Sequence, residues 1–258
     1  MHPVLGEIAS RPREALIAVD FDGTLAPIVE DPALARAVPG AIEALAELAR
    51  GGVRVAIVTG RDALTVVDLG QLQRVPGLQV SGLHGAQTWC DGQLSSLQEP
   101  SGLAALRVAL PALLDKVDPG VWLEDKRLSL VVHTRRASEP ANALAVLTEP
   151  VTTLAAEHGL DVVGGKFVLE IRIPSLSKAD AVRRLLDAPT RVAVFCGDDL
   201  GDLPAFGALK EWAGAGSGRS ALAIAVGEVA EVRQAADLVL DSPAELTEIL
   251  VELADLVV

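Results

Sequence analysis

The sequence predicts an α/β fold with a mostly parallel sheet and an inserted α+β domain. One observation is that short apolar runs alternate with amphipathic helical segments, as Val53 to Val58 follows Pro39 to Arg50. Another is that the predicted order of helices and strands changes to αββαββ in the middle of the chain. After this segment, the alternation of strands and helices resumes. We therefore expect a discontinuous core made of residues 1–99 and 175–258, with residues 100–174 as the inserted domain.

The core elements follow from their apolar patterns. The first strand, Leu16 to Val19, is apolar throughout, as is typical of a strand buried on both faces of a parallel sheet. The helix after it has Ile42, Leu45 and Leu48 at helical spacing, and Gly51 ends it. A strand, a helix and a strand of these lengths form a right-handed parallel unit. The other predicted core elements are the strands Val80 to Leu83, Val192 to Cys196, Ala223 to Val226 and Leu238 to Leu240, and the helices Ala179 to Leu186 and Pro243 to Leu256.

The inserted segment is predicted to pair its strands differently. They come in adjacent pairs joined by short turns, Asp125 to Arg127 and Gly164 to Lys166, and such turns favour antiparallel pairing. Pro111 is expected to kink or split the first helix. In chain order the predicted elements are the helix Leu103 to Val117, the strands Val121 to Glu124 and Leu128 to His133, the helix Pro140 to His158, and the strands Leu160 to Val163 and Phe167 to Ile173.

The bulk composition excludes several classes of function. A formal charge of -13 without any basic run argues against a nucleic-acid partner, whose binding needs clustered lysine and arginine. Cys90 and Cys196 are too few for a disulfide framework or a thiolate zinc site, which favours a reducing compartment. No apolar run approaches the roughly 20 residues of a membrane helix, and Met1 to Arg13 lacks the features of a signal peptide. We expect a cytoplasmic monomer that binds no membrane.

Polar residues follow four of the predicted core strands, and a lysine opens one of the helices. Taken singly, these residues have ordinary structural explanations, since the two aspartates after the first strand can form a turn that satisfies its own backbone. Carboxylates that converge at one sheet edge, however, repel each other unless a hard cation such as Mg²⁺ binds there. The residues are Asp20, Asp22, Thr59, His84, Asp198, Asp199 and Asp202, with Lys178 as the lysine.

Phosphoryl transfer is the chemistry that uses such a set of groups. A carboxylate attacks phosphorus and forms an aspartyl-phosphate, and a second carboxyl protonates the leaving oxygen and later activates water. Cations neutralise the charge on the phosphoryl oxygens. Asp20 and Asp22, two residues apart across a turn, suit the two carboxyl roles.

The motifs that carry these residues resemble those of the haloacid dehalogenase superfamily. Asp20-Phe21-Asp22-Gly23-Thr24-Leu25 matches the first motif, Thr59 the second, Lys178 the third, and Gly197-Asp198-Asp199 with Asp202 the fourth. Within the superfamily the sequence is similar, over nearly its whole length, to the trehalose-6-phosphate phosphatase family. The resemblance implies a Rossmann-like core and a cap domain that closes over the substrate.

The resemblance also implies a role for each matched residue. Asp20 is the nucleophile, Asp22 is the general acid and base, and Thr59 and Lys178 hold the phosphoryl group. Asp198 joins Asp20 and the Asp22 carbonyl around Mg²⁺. The remaining implied residues are Asp199 and Asp202, which support the metal ligands, and Gly60, Arg61 and His84, which contact the substrate.

Three short segments of the inserted domain carry the resemblance to the trehalose-6-phosphate phosphatase family. They resemble its Glu-x-Lys, His-x-Arg and Gly-Lys-x-x-x-Glu-x-Arg patterns, whose side chains read sugar hydroxyls. Lysine is scarce, with 5 in the chain, which favours a specific role for those in these segments. The alternative is a set of cross-strand ion pairs of little energetic value. The matching residues are Glu124, Lys126, His133, Arg135, Lys166, Glu170 and Arg172.

We therefore expect an Mg²⁺-dependent phosphatase that hydrolyses trehalose 6-phosphate, a small-molecule sugar phosphate. The alternatives are a related phosphatase for sucrose phosphate or a mannosyl phosphoglycerate, and a catalytically silent sugar-phosphate sensor. Four positions depart from the family pattern and are expected to affect the hydrogen bonds around the metal. They are Gly201 and Leu203 beside Asp202, Gln87 in place of a common Glu, and Ala179 in place of Gly.

Overall fold

The computed structural model describes residues 2–126, 128–174, 177–186 and 189–257. The chain divides into two compact units, one formed by Met1–Ser96 and Ser177–Val258 and the other by Leu97–Leu176. The predicted resumption of the core at residue 175 lies outside the described residues, as does Arg127 of the first predicted turn in the insertion.

The regular elements are numbered in chain order. The strands are β1 (Ala15–Val19), β2 (Arg54–Val58), β3 (Gln79–Gly82), β4 (Gln87–Cys90), β5 (Gln93–Ser96), β6 (Trp122–Asp125), β7 (Ser129–His133), β8 (Asp161–Gly165), β9 (Val168–Arg172), β10 (Val192–Gly197), β11 (Ser220–Val226) and β12 (Leu238–Leu240). The α-helices are α1 (Pro3–Ser10), α2 (Ala41–Arg50), α3 (Ala63–Gly70), α4 (Ser101–Leu114), α5 (Pro140–Glu157), α6 (Lys178–Leu185), α7 (Leu203–Trp212), α8 (Ala230–Ala235) and α9 (Pro243–Val257).

The sheet of the first unit has the strand order β12-β11-β10-β1-β2-β3-β4-β5. The six strands from β12 to β3 are parallel, and β4 and β5 add an antiparallel hairpin at one edge. In register, Val19 at the end of β1 pairs with Cys196 of β10 and Ile57 of β2. The carboxyl ends of these central strands therefore share one edge, which is where open α/β sheets position their ligands.

Helices cover both faces of this sheet. Alternate residues of β1 point to opposite sides, so Ile17 and Val19 join one buried apolar cluster with α1, α2, α3 and α9, and Leu16 and Ala18 join another with α6 and α7. This layering confirms the predicted α/β class. No helix within the described ranges is both long enough and apolar enough to cross a membrane.

The second unit is α+β, with the predicted order αββαββ. Its antiparallel sheet has the strand order β6-β7-β9-β8. Leu130 and Ile171 on one face of the sheet pack against apolar residues of α4 and α5. Pro111 lies inside α4, which runs without interruption from Ser101 to Leu114, so the proline does not split the helix.

Candidate functional site

Asp20 lies immediately after β1, at the carboxyl edge of the parallel strands. Its backbone N–H donates to the carbonyl of Cys196 on β10 at 2.9 Å, which extends the strand pairing by one residue. The side chain is buried, and its Oδ2 lies 2.8 Å from Nζ of Lys178. Lys178 is the first residue of α6, and the side chain of Ser177 caps that helix. The predicted nucleophile is therefore paired with the predicted phosphoryl-binding lysine.

Asp202 completes the ion pair of Lys178 from the loop after β10. Its Oδ1 lies 2.7 Å from Lys178 Nζ, and its Oδ2 accepts the backbone N–H groups of Asp198 and Asp199 at 3.0 and 3.2 Å. A side chain at Gly197 would meet this carboxylate, because an added Cβ would lie 2.4 Å from Asp202 Cγ. Asp202 thus links Lys178 to the backbone of the loop, because one of its carboxylate oxygens bonds to the lysine and the other to two backbone N–H groups.

Burial dominates the electrostatics of these groups. It raises the pKa of Asp20 to about 6 against the opposing effect of Lys178. It raises the pKa of Asp202 to about 7 and that of Asp198 to about 6, with nearby carboxylates adding to both shifts. Burial lowers the pKa of Lys178, but the charges of Asp20, Asp202 and Asp199 outweigh it and raise the net pKa. The site therefore combines a charged lysine with an excess of carboxylates.

Asp22 is bound by Arg61 rather than by Lys178. Nε and Nη2 of Arg61 donate to the two oxygens of the Asp22 carboxylate, each at 2.5 Å. Nη1 of Arg61 donates to the carbonyl of Pro32 at 2.8 Å. This bidentate pair fixes the orientation of Asp22, and it engages Arg61, which the sequence predicts to contact substrate.

Gly23 allows the loop of Asp198 to approach the loop after β1. Its φ is +76°, and an added Cβ would lie 2.0 Å from Asp198 Oδ2, so a larger residue cannot occupy this position without displacing Asp198. Thr24 then donates its hydroxyl to Asp198 Oδ1 at 3.1 Å. The glycine and threonine of the first motif thus position an aspartate that is far away in sequence.

Thr59, Gly60 and His84 meet at the ends of β2 and β3. Thr59 is buried, and its hydroxyl accepts the backbone N–H of Arg61 at 3.1 Å. An added Cβ at Gly60 would lie 3.0 Å from His84 Cε1, so the imidazole packs over the glycine. Leu83 and His84 have φ values of 47° and 54°, a conformation that is costly for residues with side chains. The fold therefore fixes His84 in a strained turn beside the Thr59 loop.

The donor set suits a hard divalent cation. Carboxylate oxygens of Asp20, Asp198 and Asp202 all lie within 4.8 Å of one another. Both oxygens of Asp202 already bond to Lys178 or to backbone, which leaves Asp20 and Asp198 as the better candidates for direct ligands. Oxygen ligands of this kind, with several positions left for water and phosphate oxygens, are those that Mg²⁺ prefers.

In the second unit, the predicted glutamates lie on one face of the sheet. The register aligns Glu124 of β6 with Val131 of β7, and Val131 with Glu170 of β9. Glu124 Oε2 is 2.7 Å from Nε2 of His133, and Glu170 Oε1 accepts the hydroxyl of Ser129 at 3.0 Å. Arg172 pairs in register with Ser129 on the same face. The structure brings these predicted residues together on the face opposite α4 and α5.

The other predicted residues of this unit lie at the ends of the sheet. Lys126 follows β6 at one end, and Lys166 lies in the β8–β9 turn at the opposite end. Arg135 follows β7 and is exposed, as are both lysines. Among the described contacts, no lysine forms an ion pair with Glu124 or Glu170, so the alternative of cross-strand lysine–glutamate pairs finds no support.

Sequence reasoning missed three residues that contact predicted site residues, since Thr24 bonds to Asp198, Ser129 to Glu170, and Trp122 stacks on His133. Thr24 stands in the first motif without a predicted role, and Ser129 and Trp122 are not among the predicted site residues. The period of two along a strand was a usable signal, because it places Trp122 on the face of Glu124 and Ser129 on the face of Val131. The Arg61–Asp22 pair had no such signal, since it joins residues 39 apart in sequence.

Comparison with known proteins agrees with this geometry. A family model described as trehalose-phosphatase matches residues 18–244. A trehalose-phosphate phosphatase of Mycobacterium ulcerans (strain Agy99) is 33% identical over 251 residues, which is 92% of this chain and 60% of the relative. The chain thus spans less than two thirds of that relative's length.

Solved structures show the same fold. The trehalose-6-phosphate phosphatase of Aspergillus fumigatus (crystal form 3) matches with a TM-score of 0.78 and 24% identity, over 97% of each chain. A haloacid dehalogenase-like hydrolase from Bacteroides thetaiotaomicron matches with a TM-score of 0.65 and 14% identity, over 92% of this chain and 98% of the other.

The family match begins within β1 and ends within α9, so it includes the aspartates after β1 and β10, Lys178 and the whole second unit. On that evidence the chain belongs to the trehalose-phosphatase family.

Proposed function

We propose that this protein is an Mg²⁺-dependent phosphatase that hydrolyses trehalose 6-phosphate to trehalose and phosphate through an aspartyl-phosphate on Asp20. The observation that carries the proposal is the pairing of Lys178 with Asp20 and Asp202 beside Asp198, in a chain of the trehalose-phosphatase family. A charged lysine next to a buried carboxylate is an arrangement that binds a phosphoryl group and directs a nucleophile to it.

In the first step, an oxygen of Asp20 attacks phosphorus and the bond from phosphorus to the sugar oxygen breaks. Asp22 donates its proton to that oxygen, and trehalose leaves. In the second step, water attacks the phosphorus of the aspartyl-phosphate while Asp22 accepts a proton from it. The bond from phosphorus to Asp20 breaks, which releases phosphate and regenerates both aspartates. Both oxygens of Asp22 accept bonds from Arg61, so Asp22 carries the proton for the first transfer only once one of these bonds is released.

Asp20, Asp198 and the Asp22 carbonyl are the proposed Mg²⁺ ligands, with Asp199 and Asp202 in support. When bound, Mg²⁺ supplies positive charge that offsets the charge on the phosphoryl oxygens. Lys178 and Thr59 would bind the phosphoryl group from the protein side. The hydrogen bonds to Asp202 keep Lys178 at the nucleophile, because they tie its second carboxylate partner to the backbone.

We propose that the second unit recognises the sugar. The alignment of Glu124 with Glu170 supports a row of acceptors for hydroxyl groups. In the first unit, three of the five N–H groups of Arg61 bond to Asp22 and Pro32, and the second N–H groups of Nη1 and Nη2 are the ones proposed to contact substrate. The other residues proposed to contact substrate are Gly60, His84, Lys126, His133, Arg135, Lys166 and Arg172. The cytoplasmic location and the monomeric state stay predictions from the sequence.

Phosphate release from a panel of sugar phosphates tests the substrate. We expect kcat/KM for trehalose 6-phosphate to exceed that for sucrose phosphate, mannosyl phosphoglycerate and glucose 6-phosphate by about tenfold or more, because unpaired buried polar groups penalise the wrong sugar. A preference of that size for another sugar phosphate would contradict the proposed substrate and leave the phosphatase mechanism standing. Binding of sugar phosphates without any phosphate release would indicate a sensor instead.

A further inference from the structure

The sheet of the second unit carries an aromatic cluster formed by Trp122, His133 and Arg136. The rings of Trp122 and His133, which face each other across β6 and β7, are parallel within 5° with centroids 4.4 Å apart. The guanidinium of Arg136 lies 4.7 Å from the Trp122 ring centroid. Flat stacking and a cation over the indole are both favourable, so the cluster holds His133 in one orientation.

His133 also contacts Glu124, so the fixed orientation of the imidazole restricts the glutamate side chain. Its Nε2 lies 2.7 Å from Glu124 Oε2, and no hydrogen bond among the described residues engages the other carboxylate oxygen. Both side chains are only partly buried, so neither is fixed by surrounding packing alone. One oxygen of Glu124 is therefore anchored, and the second is held in a defined place as an acceptor.

We propose that Trp122 is a positioning residue for sugar recognition, which acts through His133 to fix the acceptor oxygen of Glu124. The inference rests on the proposed function and names a residue that the family motifs do not include. Without the indole, the imidazole and the glutamate would occupy several conformations. Ordering them on binding would then weaken the affinity for the sugar, whereas the chemistry at Asp20 would not depend on them.

A double-mutant cycle tests this inference on the full chain. The measured quantity is kcat/KM for trehalose 6-phosphate divided by kcat/KM for p-nitrophenyl phosphate, which has no sugar to recognise. We expect Trp122→Ala to lower this ratio about tenfold, mainly through KM for the sugar phosphate, and Trp122→Phe to restore it to within about threefold. Adding Trp122→Ala to Glu124→Ala should lower the ratio no further, because the tryptophan acts through the glutamate.

Trp212→Ala is the matched control. Trp212 also lies under an arginine, with the Arg219 guanidinium 5.1 Å from its ring, but it belongs to α7 of the first unit and not to the sheet that carries the proposed sugar residues. We expect the ratio of the two kcat/KM values for Trp212→Ala to equal that of the wild type. If Trp122→Ala does not fold, Trp122→Leu replaces it, since leucine keeps apolar bulk without a flat ring.

Additive effects of Trp122→Ala and Glu124→Ala on this ratio would overturn the inference. So would a Trp122→Ala variant that loses kcat/KM equally for trehalose 6-phosphate and p-nitrophenyl phosphate. A wild-type protein that prefers another sugar phosphate would contradict the proposed substrate only, and the cycle would then be measured with that sugar phosphate. A protein that hydrolyses no phosphate monoester would overturn both the proposed function and this inference.

Discussion

Gln87 is a fully buried residue at the start of β4 that bonds to the N-terminus of α3. Its Nε2 donates to Asp62 Oδ2 and its Oε1 accepts the backbone N–H of Ala63, both at 2.8 Å. Asp62 in turn caps α3 by accepting from Leu64 and Thr65. An ionised glutamate at this position would have no proton to donate to Asp62. Glutamine is therefore the residue that satisfies both neighbours in this chain.

We predict that Gln87→Glu destabilises the protein. A buried carboxylate at position 87 would face the partly buried carboxylate of Asp62. This costs about 1–3 kcal/mol in free energy of unfolding at pH 8 and less at pH 5, where one carboxyl can keep a proton. Urea denaturation of wild type and Gln87→Glu at pH 8 and pH 5 measures this loss in free energy of unfolding. Adding Asp62→Asn restores a donor opposite the introduced carboxylate and should recover most of the loss. A single variant as stable as the wild type at pH 8 would contradict the assigned hydrogen bonds.

Two further departures from the family pattern, at positions 201 and 203, flank Asp202. Gly201 lies next to Asp202, yet the hydrogen bonds described for the Asp202 carboxylate are made to Lys178 and to the backbone of the loop. The backbone N–H of Gly201 itself donates to Asp199 at 2.9 Å. Leu203 packs against the apolar cluster beneath α7. The hydrogen bonds described for the Asp202 carboxylate therefore do not depend on a side chain at position 201 or 203.

At the scale of elements, the strands and helices with a strong apolar period were predictable. In α4, the buried Leu103, Leu106, Leu110 and Leu114 recur at intervals of three and four residues, and their burial outweighs the hydrogen bond that Pro111 removes. For that reason the helix does not split. The proline rule describes an isolated helix better than one packed on a sheet.

The hairpin β4–β5 was missed although its turn carries a signal. Asp91 and Gly92 have φ values of 47° and 82°, the left-handed conformations of a two-residue hairpin turn, and Asp-Gly is typical there. β5 is mostly exposed and short of apolar residues, so its alternating pattern is weak. Edge strands of this kind gain their order from the neighbouring strand rather than from their own composition.

At the scale of the whole molecule, the α/β class and the αββαββ order of the second unit were predictable, whereas α1, α3, α7 and α8 and the pairing of side chains were not. Parallel strands end at the same edge of a sheet, so the predicted strands suffice to place Asp20, Thr59 and Asp198 at one edge. Which carboxylate meets Lys178 and which meets Arg61 depends on rotamers and on loop paths between distant parts of the chain, as Thr24 and Asp198 illustrate with a separation of 174 residues. Local sequence rules hold no information on such contacts.

The acidic site also predicts how stability depends on pH and metal. Burial raises the pKa of Asp20, Asp198 and Asp202 to about 6, 6 and 7, above the usual aspartate range. Their contribution to folding in metal-free protein is therefore fully present below the ordinary aspartate pKa of 3.8 and is lost as pH rises from there to about 6 or 7. Because the proposed Mg²⁺ site needs ionised carboxylates, we expect Mg²⁺ to raise Tm more at pH 8 than at pH 5.

Thermal unfolding with Mg²⁺, or with NaCl of equal ionic strength, measures this difference. Asp198→Asn should reduce the Mg²⁺-dependent rise in Tm at pH 8, because it removes a proposed ligand. A rise of the same size at both pH values, or one that NaCl reproduces, would contradict binding at these aspartates.

Phosphate release from trehalose 6-phosphate by wild type and by Asp20→Asn tests most directly whether Asp20 attacks phosphorus. Asparagine keeps the shape of the side chain but lacks the nucleophilic carboxylate. With Mg²⁺ present, we expect the substitution to lower kcat by about a thousandfold or more, and removal of Mg²⁺ to abolish wild-type turnover. Phosphate release by folded Asp20→Asn at a rate near that of the wild type would contradict the aspartyl-phosphate mechanism.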